Sequence, residues 1–174
     1  MSLSEWQKEN PTMKQDLKIL YELVIFNCPK VIVEIGCGHS TMAMALALKV
    51  SGLKDSKVYS TDIDNNRINQ FQDKINKEGL SDYCMLFDED SAQFLKDFDC
   101  IADIIFIDSA HEYQKTLDEI NESSKILSSK GFIFIHDTTN GNILNAIKEF
   151  MRQNKDWVYS NFPTQYGLGV LKIK

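Results

Sequence analysis

Five short runs rich in β-branched and aromatic residues, each followed by a longer segment of helical period, constrain the fold of this chain more than any other feature. We predict strands at Val31–Ile35, Lys57–Thr61, Tyr83–Phe87, Asp103–Ile107 and Gly131–Ile135. The last two runs are apolar almost throughout, which is typical of strands covered on both faces of a parallel sheet. Strict alternation of strand and helix predicts a doubly wound α/β domain.

The segments between these runs place apolar residues at helical spacing. Residues 40–50 and Ser91–Phe98 are predicted helices, and Asp64 is a predicted cap for a helix that ends at Gly79. Three sets of apolar residues at helical spacing each predict a helix with one buried face. The first set is Ile68, Phe71 and Ile75, the second is Tyr113, Leu117 and Ile120, and the third is Ile143, Leu144, Ile147, Phe150 and Met151.

Both ends of the chain depart from this alternation. Trp157–Phe162 and Gly169–Ile173 are two predicted strands with no room for a helix between them, which indicates a hairpin with at least one antiparallel strand. An N-terminal helix that ends at Cys28-Pro29 carries one apolar stripe, formed by Met13, Leu17, Leu20, Tyr21, Val24 and Ile25.

Composition excludes several classes of function. The formal net charge is −6 and no basic stripe is present, so nucleic acid is a disfavoured partner. No apolar run approaches the ~20 residues of a membrane span. The four cysteines form no C-x-x-C pair, which argues against a zinc or redox site and favours reduced thiols in a cytoplasmic protein.

A glycine loop joins the first predicted strand to its helix. Gly36 and Gly38 let the backbone turn sharply and approach a ligand, and the helix N-terminus behind them offers free N–H groups. A dinucleotide loop needs a third small residue where this chain has Thr41. The carboxylate of Glu34 suits a cationic ligand better than a pyrophosphate. A tight turn without a ligand and a dinucleotide site remain alternatives to a site for S-adenosylmethionine.

The pattern E-x-G-x-G-x-S from Glu34 to Ser40 resembles motif I of the class I S-adenosylmethionine-dependent methyltransferases, and the resemblance extends over residues 30–173. It implies a Rossmann-like, seven-stranded, mostly parallel sheet of order 3-2-1-4-5-7-6, with strand seven antiparallel. It also implies one methyltransferase domain over residues 1–174, with a helical lid over 1–29 and a cofactor-binding core over 30–174.

The same resemblance implies which residues bind the cofactor. The carboxylate of Asp62, after the second strand, would accept hydrogen bonds from both ribose hydroxyls. Asp90 and Ser91, after the third strand, would contact the adenine. The full implied set is Glu34, Gly36, Gly38, Ser40, Asp62, Asp90, Ser91 and Asp108.

Two polar clusters follow the fourth and fifth predicted strands, Asp108-Ser-Ala-His111 and His136-Asp137. Both fall at the carboxyl edge of the sheet, where doubly wound folds bind ligands. Oxygen and imidazole groups at this spacing suit Mg²⁺ or Mn²⁺. The alternatives are a helix cap for Asp108 and a buried structural imidazole for His136.

These clusters are similar to those of the metal-dependent small-molecule O-methyltransferases of the catechol and macrolide-sugar type. The resemblance implies a divalent cation held by Asp108 and Asp137. His136 would replace the amide ligand that the catechol branch has at the position of Thr138. His111 takes the position of that branch's catalytic lysine, and the sugar branch has D-x-x-H there, so His111 is the implied general base.

The expected function is therefore methyl transfer from S-adenosylmethionine to a small-molecule acceptor, by O-methylation that a divalent cation assists. N-methylation stays open because an amine needs less activation. The alternatives are a non-catalytic nucleoside-binding module, a nicotinamide-dependent oxidoreductase and a cephalosporin-hydroxylase-like protein. The sequence names neither the acceptor nor the oligomeric state, and a homodimer is among the options.

Overall fold

The computed structural model describes residues 3–9 and 14–174, without the side chains of Trp6 and Glu9. Within these residues a seven-stranded sheet is flanked by seven helices. The strands are β1 (Val31–Ile35), β2 (Lys57–Asp62), β3 (Cys84–Asp88), β4 (Ala102–Ile107), β5 (Leu127–His136), β6 (Trp157–Phe162) and β7 (Leu168–Ile173). The helices are α1 (Leu3–Glu9), α2 (Lys14–Asn27), α3 (His39–Val50), α4 (Asn65–Lys77), α5 (Ser91–Asp97), α6 (Tyr113–Ile126) and α7 (Gly141–Gln153).

The strands lie in the order β3-β2-β1-β4-β5-β7-β6. Strands β1 to β5 pair in parallel, and β7 pairs antiparallel with both β5 and β6. The predicted fold class, strand order and antiparallel seventh strand are therefore confirmed. The strand order reverses between β1 and β4, and folds of this kind bind their ligands in the crevice at that point.

The apolar strands build two cores because successive side chains point to opposite faces of a sheet. In β4, Ile104 and Phe106 join the core beneath α2, α3 and α4, whereas Ile105 and Ile107 join the core beneath α5, α6 and α7. All four side chains are buried. Burial on both faces explains why the run is continuously apolar, and it holds the polar residues after β4 on a rigid support.

A few predicted details were wrong. Tyr113 is the first residue of α6 and is exposed, because the buried stripe of that helix begins one turn later at Leu117. Strand β5 begins four residues before Gly131, since Leu127 pairs with Ala102 across an irregular step in the register. The polar residues after Leu127 gave no apolar pattern that could reveal this extension.

Helix α2, which corresponds to the predicted N-terminal helix, packs on α3 and buries Leu17, Leu20 and Val24, so α2 belongs to the layer that covers the sheet. Asp16 is buried on the same helix, with no exposed side-chain surface. The predicted boundary after residue 29 falls between α2 and β1. Met13 and the rest of residues 10–13 lie outside the described residues, as do residues 1 and 2. No helix in the described part of the chain combines the length and the apolar character that crossing a bilayer requires.

Candidate active site

A cleft of about 230 Å³ opens at the carboxyl ends of β1, β2 and β4. Its walls come from the glycine loop, from the turns after β2 and β3, and from the segment that follows β4. The lining residues are Ile35, Gly36, Thr61, Asp62, Ile63, Arg67, Glu89, Ser91, Asp108, Ser109, Ala110 and Lys115.

 The cleft is thus lined by four of the eight predicted cofactor residues, Gly36, Asp62, Ser91 and Asp108, and the other four, Glu34, Gly38, Ser40 and Asp90, lie outside its lining.

Gly36 occupies a position that only glycine can take. Its φ of +100° lies in the left-handed region, and a Cβ atom there would lie 2.1 Å from the carbonyl oxygen of Asp108. The Gly36 N–H donates to the carbonyl of Thr61 at 2.8 Å, which ties the loop to β2. This close approach brings the glycine loop against the segment after β4, so both form one wall of the cleft.

The carboxylate of Glu34 lies beneath the glycine loop and is fully buried. The hydroxyl of Thr41 donates to it and accepts from the Gly38 N–H at 2.9 Å, so Thr41 links the loop to the carboxylate. Burial raises the pKa of Glu34 to about 7, against hydrogen bonds from Ser40, Thr41 and Ser60. The structure therefore places Glu34 and Ser40 as supports of the loop, and sequence reasoning missed the part that Thr41 takes in it.

Asp62 combines loop support with access to the cleft. Its carboxylate accepts from the Cys37 N–H at 3.1 Å and from the Asp64 N–H at 2.9 Å, and Arg67 Nη1 lies 3.5 Å away. Each carboxylate oxygen can accept more than one hydrogen bond, and 11% of the side chain is exposed. Asp62 can therefore still bind a pair of hydroxyl groups. Asp64 caps α4, as predicted.

The turn after β3 separates the two residues predicted to contact adenine. Asp90 caps α5 by accepting from the Ala92 N–H, and it also accepts from Lys115 Nζ at 2.8 Å. The bond from Lys115 holds the pKa of Asp90 below its usual range. Asp90 faces solvent outside the cleft, whereas Ser91 is buried and lines it.

Glu119 on α6 was missed by sequence reasoning. It is buried, and its two carboxylate oxygens accept from the hydroxyls of Ser91 and Ser109, both at 2.6 Å. Burial raises the pKa of Glu119, although these two hydrogen bonds oppose the shift. Both serines line the cleft, so Glu119 orients its wall from behind.

The residues after β4 and β5 converge as predicted. His111 Nε2 lies 2.7 Å from Asp137 Oδ2, and the side-chain ligand atoms of Asp108, His111 and Asp137 all lie within 4.8 Å of one another. Asp137 has a φ of +56°, a conformation that residues other than glycine rarely adopt and that occurs often at functional sites. This cluster adjoins the cleft because Asp108 belongs to both.

His136 lies behind this cluster and is not one of its three members. Its ring nitrogens lie 3.4 Å from Asp16, 3.3 Å from Asp108 and 3.2 Å from Asp137. Burial alone would lower the pKa of His136, but the three carboxylates outweigh it and raise the pKa to about 12. His136 therefore lies buried among three carboxylates that favour its protonated form, and Asp16 is a further residue that sequence reasoning missed.

Thr138 points away from the cluster. Its hydroxyl donates to Asn161 Oδ1 at 2.7 Å, and a Cβ atom on Gly167 would lie 2.3 Å from the same hydroxyl oxygen. Thr138 thus fastens the β6–β7 hairpin to the end of β5. The position that holds an amide ligand in the catechol branch has a structural task in this chain.

Comparisons with solved structures agree with this architecture. The S-adenosylhomocysteine-bound methyltransferase PaMTH1 of Podospora anserina is 16% identical, with a TM-score of 0.80 over 99% of this chain and 87% of its own. The O-methyltransferase TomG of Streptomyces achromogenes, in complex with S-adenosylmethionine, is 14% identical, with a TM-score of 0.82 over 99% of this chain and 89% of its own. An O-methyltransferase of Bacillus cereus is 18% identical, with a TM-score of 0.78 over 99% of this chain and 90% of its own. These likenesses establish the fold.

A comparison with curated protein sequences gave no match. The family model described as a methyltransferase domain matches residues 33–138, which include the glycine loop, the cleft and the cluster after β5. That match covers more than half of the chain. It confirms the class of enzyme that the E-x-G-x-G loop indicated, and the chain belongs to the methyltransferase domain family.

Proposed function

We propose that this chain transfers a methyl group from S-adenosylmethionine to a hydroxyl oxygen of a small molecule. The observation that carries the proposal is the position of Asp108, which lines the cofactor cleft and belongs to the cluster with His111 and Asp137. A methyl donor in the cleft and an acceptor at the cluster would therefore both lie next to Asp108, and so next to each other. Methyl transfer needs that in-line arrangement more than any other contribution of the protein.

The cleft suits the cofactor. A Cβ atom on Gly38 would meet no heavy atom closer than 3.9 Å, so the space beside the loop is open to a ligand. Asp62 lines the cleft, and the lone pairs of its carboxylate match a ribose diol. When bound, S-adenosylmethionine supplies a methyl group that is already activated by a sulfonium leaving group. The chain's own residues then have to hold it, align it and exclude water.

The carboxylates of Asp108 and Asp137 suit a divalent cation by their donor set, because Mg²⁺ and Mn²⁺ prefer oxygen ligands. His111 would stay outside the coordination shell, since an imidazole nitrogen that is bound to a cation cannot take up a proton. A cation there would supply Lewis acidity to the acceptor hydroxyl. The His136 imidazole lies within 3.3 Å of both carboxylates, and in its protonated form it would offset their repulsion when no cation is bound.

His111 is the residue that we propose as general base. About half of its side chain is exposed, so an acceptor can reach it, and its Nε2 lies 2.7 Å from Asp137 Oδ2. Asp137 fixes the orientation of the imidazole and stabilises the positive charge that proton uptake creates. A hydroxyl acceptor needs this deprotonation far more than an amine does. The pairing therefore favours O-methylation over N-methylation.

Residues 1–29 would form a helical lid over the candidate site. The contact of Asp16 with His136 supports this, because it anchors α2 beside the cluster of Asp108, His111 and Asp137. The acceptor would be a small molecule, since the chain carries a net charge of −6 and no basic stripe. The four free cysteine thiols support a cytoplasmic location.

Calorimetry with S-adenosylmethionine and S-adenosylhomocysteine, each with Mg²⁺, with Mn²⁺ and with EDTA, tests the proposal first. Asp62→Ala should weaken binding at least about tenfold, or ~1.4 kcal/mol. Asp64→Asn is the matched control, because Asp64 caps α4 outside the cleft and asparagine caps equally well. A screen of phenols, sugars, carboxylates and amines then identifies the acceptor. Absence of binding by both ligands would refute the cofactor, and turnover of amines alone would refute O-methylation.

A further inference from the structure

Glu119 determines which way two hydroxyl groups of the cleft wall face. The hydroxyls of Ser91 and Ser109 both donate to its carboxylate, one to each oxygen. An ionised carboxylate only accepts hydrogen bonds, and two hydroxyl donors favour that ionised form. Both hydroxyl protons are thereby directed at Glu119, and the serine oxygens keep only lone pairs for a ligand.

Ser91 and Ser109 both line the cleft, and they would face the base of a nucleoside whose ribose is bound at Asp62. Asp62 follows β2, and the next strand outward in the sheet is β3, whose following turn leads to Ser91. Ser109 approaches the same part of the cleft from the segment after β4. With a ribose held at Asp62, the attached base lies toward these two residues. This step rests on the proposed function.

We infer that Glu119 makes the cleft select a purine with an amino group at C6 over one with an oxo group at C6. An amino group brings two N–H donors, and the wall offers two oxygen acceptors that cannot donate. An oxo group would instead place its lone pairs against those of the serine oxygens, and a buried acceptor without a donor is costly. Glu119 is thus a positioning residue that acts through Ser91 and Ser109.

Lys115 does not remove this selectivity, although it also lines the cleft. Its Nζ donates to Asp90 Oδ2 at 2.8 Å, and Asp90 is exposed outside the cleft. The ammonium group is therefore already paired with the Asp90 carboxylate. The two hydroxyls and the carboxylate behind them decide the polarity of the inner wall.

Calorimetry with S-adenosylhomocysteine and its 6-oxo counterpart, S-inosylhomocysteine, tests the inference without any acceptor or cation. The wild-type protein should bind the 6-amino ligand at least about tenfold more tightly. In Glu119→Gln the new amide must donate to one serine, whose hydroxyl then turns into the cleft and can donate to an oxo group. The affinity ratio should fall to about threefold or less. Asp118→Asn, an exposed neighbour on the same helix, should keep the wild-type ratio.

The outcomes separate the inference from the function on which it rests. If the wild-type protein binds neither ligand, the proposed cofactor is wrong and the inference falls with it. If S-adenosylhomocysteine binds but Glu119→Gln keeps the wild-type ratio, the inference alone is overturned. Should Glu119→Gln fail to fold, Ser91→Ala and Ser109→Ala replace it, because each removes one acceptor. A ratio unchanged in both serine variants would overturn the inference, and a reduced ratio in either supports it.

Discussion

The carboxylate of Asp16 lies 3.4 Å from Nε2 of His136, and both side chains are buried. The contact joins α2 to the end of β5, next to the residue that pairs with His111. The nitrogens of His136 and the carboxylate oxygens of Asp16 have no partner with hydrogen-bond geometry among the described residues. The contact between them therefore depends on electrostatic attraction and not on a directed hydrogen bond. Helix α2 is therefore attached to the wall of the candidate site by an electrostatic contact.

Asp16→Asn should destabilise the protein by roughly 2–4 kcal/mol, because it removes one partner of a buried ion pair. The loss should fall short of a completely broken pair, since Asp108 and Asp137 still face His136. Chemical denaturation measures the change in the free energy of unfolding. Glu22→Gln on the exposed side of α2 is the control and should shift it by less than about 0.5 kcal/mol. Equal effects of the two substitutions would show that the Asp16 contact contributes nothing.

The pKa of Glu34, raised by burial from 4.5 to about 7, predicts a pH dependence of stability. The folded protein binds this proton more tightly than the unfolded chain, so its contribution is complete below pH 4.5 and is lost as the pH rises through about 7. The loss amounts to roughly 3 kcal/mol. Glu34→Gln should flatten that part of the stability curve. Denaturation of both proteins at a series of pH values checks this, and parallel curves would contradict it.

The two glycines of the loop should respond differently to alanine. Gly36→Ala forces a Cβ atom to within 2.1 Å of the Asp108 carbonyl at a φ of +100°, so it should destabilise the fold and abolish binding of S-adenosylhomocysteine. Gly38→Ala meets only Ser40 Oγ, at 3.9 Å, in an extended backbone. It should keep its melting temperature and lose cofactor affinity only. Thermal denaturation and calorimetry on the pair distinguish the two effects, and equal melting temperatures would contradict the close approach at Gly36.

His111→Ala should lower kcat by ~10²–10⁴ once an acceptor is known, while the affinity for S-adenosylhomocysteine stays nearly the same. A general base acts in the transition state, and His111 does not line the cleft in which we propose that the cofactor binds. Steady-state kinetics and calorimetry measure the two quantities. An unchanged kcat would remove His111 as the base. If turnover in excess EDTA is as fast as with Mg²⁺, no divalent cation takes part in the reaction. His136 would then be the group that balances the charges of Asp108 and Asp137.

The fold could be predicted because its strands and helices give local sequence patterns, and because the motifs of the chain resemble those of a known family. Continuous apolar runs indicated the parallel strands, and the short connection after Phe162 excluded a crossover helix. The strand order followed from the resemblance to class I methyltransferases. The start of β5 could not be predicted, since Leu127 pairs across an irregular register that depends on β4.

The candidate site was predicted in part, for a physical reason. Asp108, His111 and Asp137 follow strands directly, so the topology brings them to one edge of the sheet. The partner of a buried charge depends on packing that sequence does not show. A signal existed for Asp16, which lies one helical turn before Leu20 on the apolar stripe, but nothing named His136 as its partner. Glu119 lies among polar residues of α6 and resembles any exposed carboxylate.

The place of β7 between β5 and β6 has a consequence for synthesis on the ribosome. Strand β6 is made before β7, yet its neighbour in the sheet is β7. Until residues 168–173 have left the exit tunnel, β6 has no strand to pair with, and β5 exposes an open edge beside His136. The contact of Thr138 with Gly167 and Asn161 forms only at that stage as well. The edge of β5 beside His136 is therefore secured only after both β6 and β7 have been made, and a chain that stalls before that point would expose this edge to chaperones.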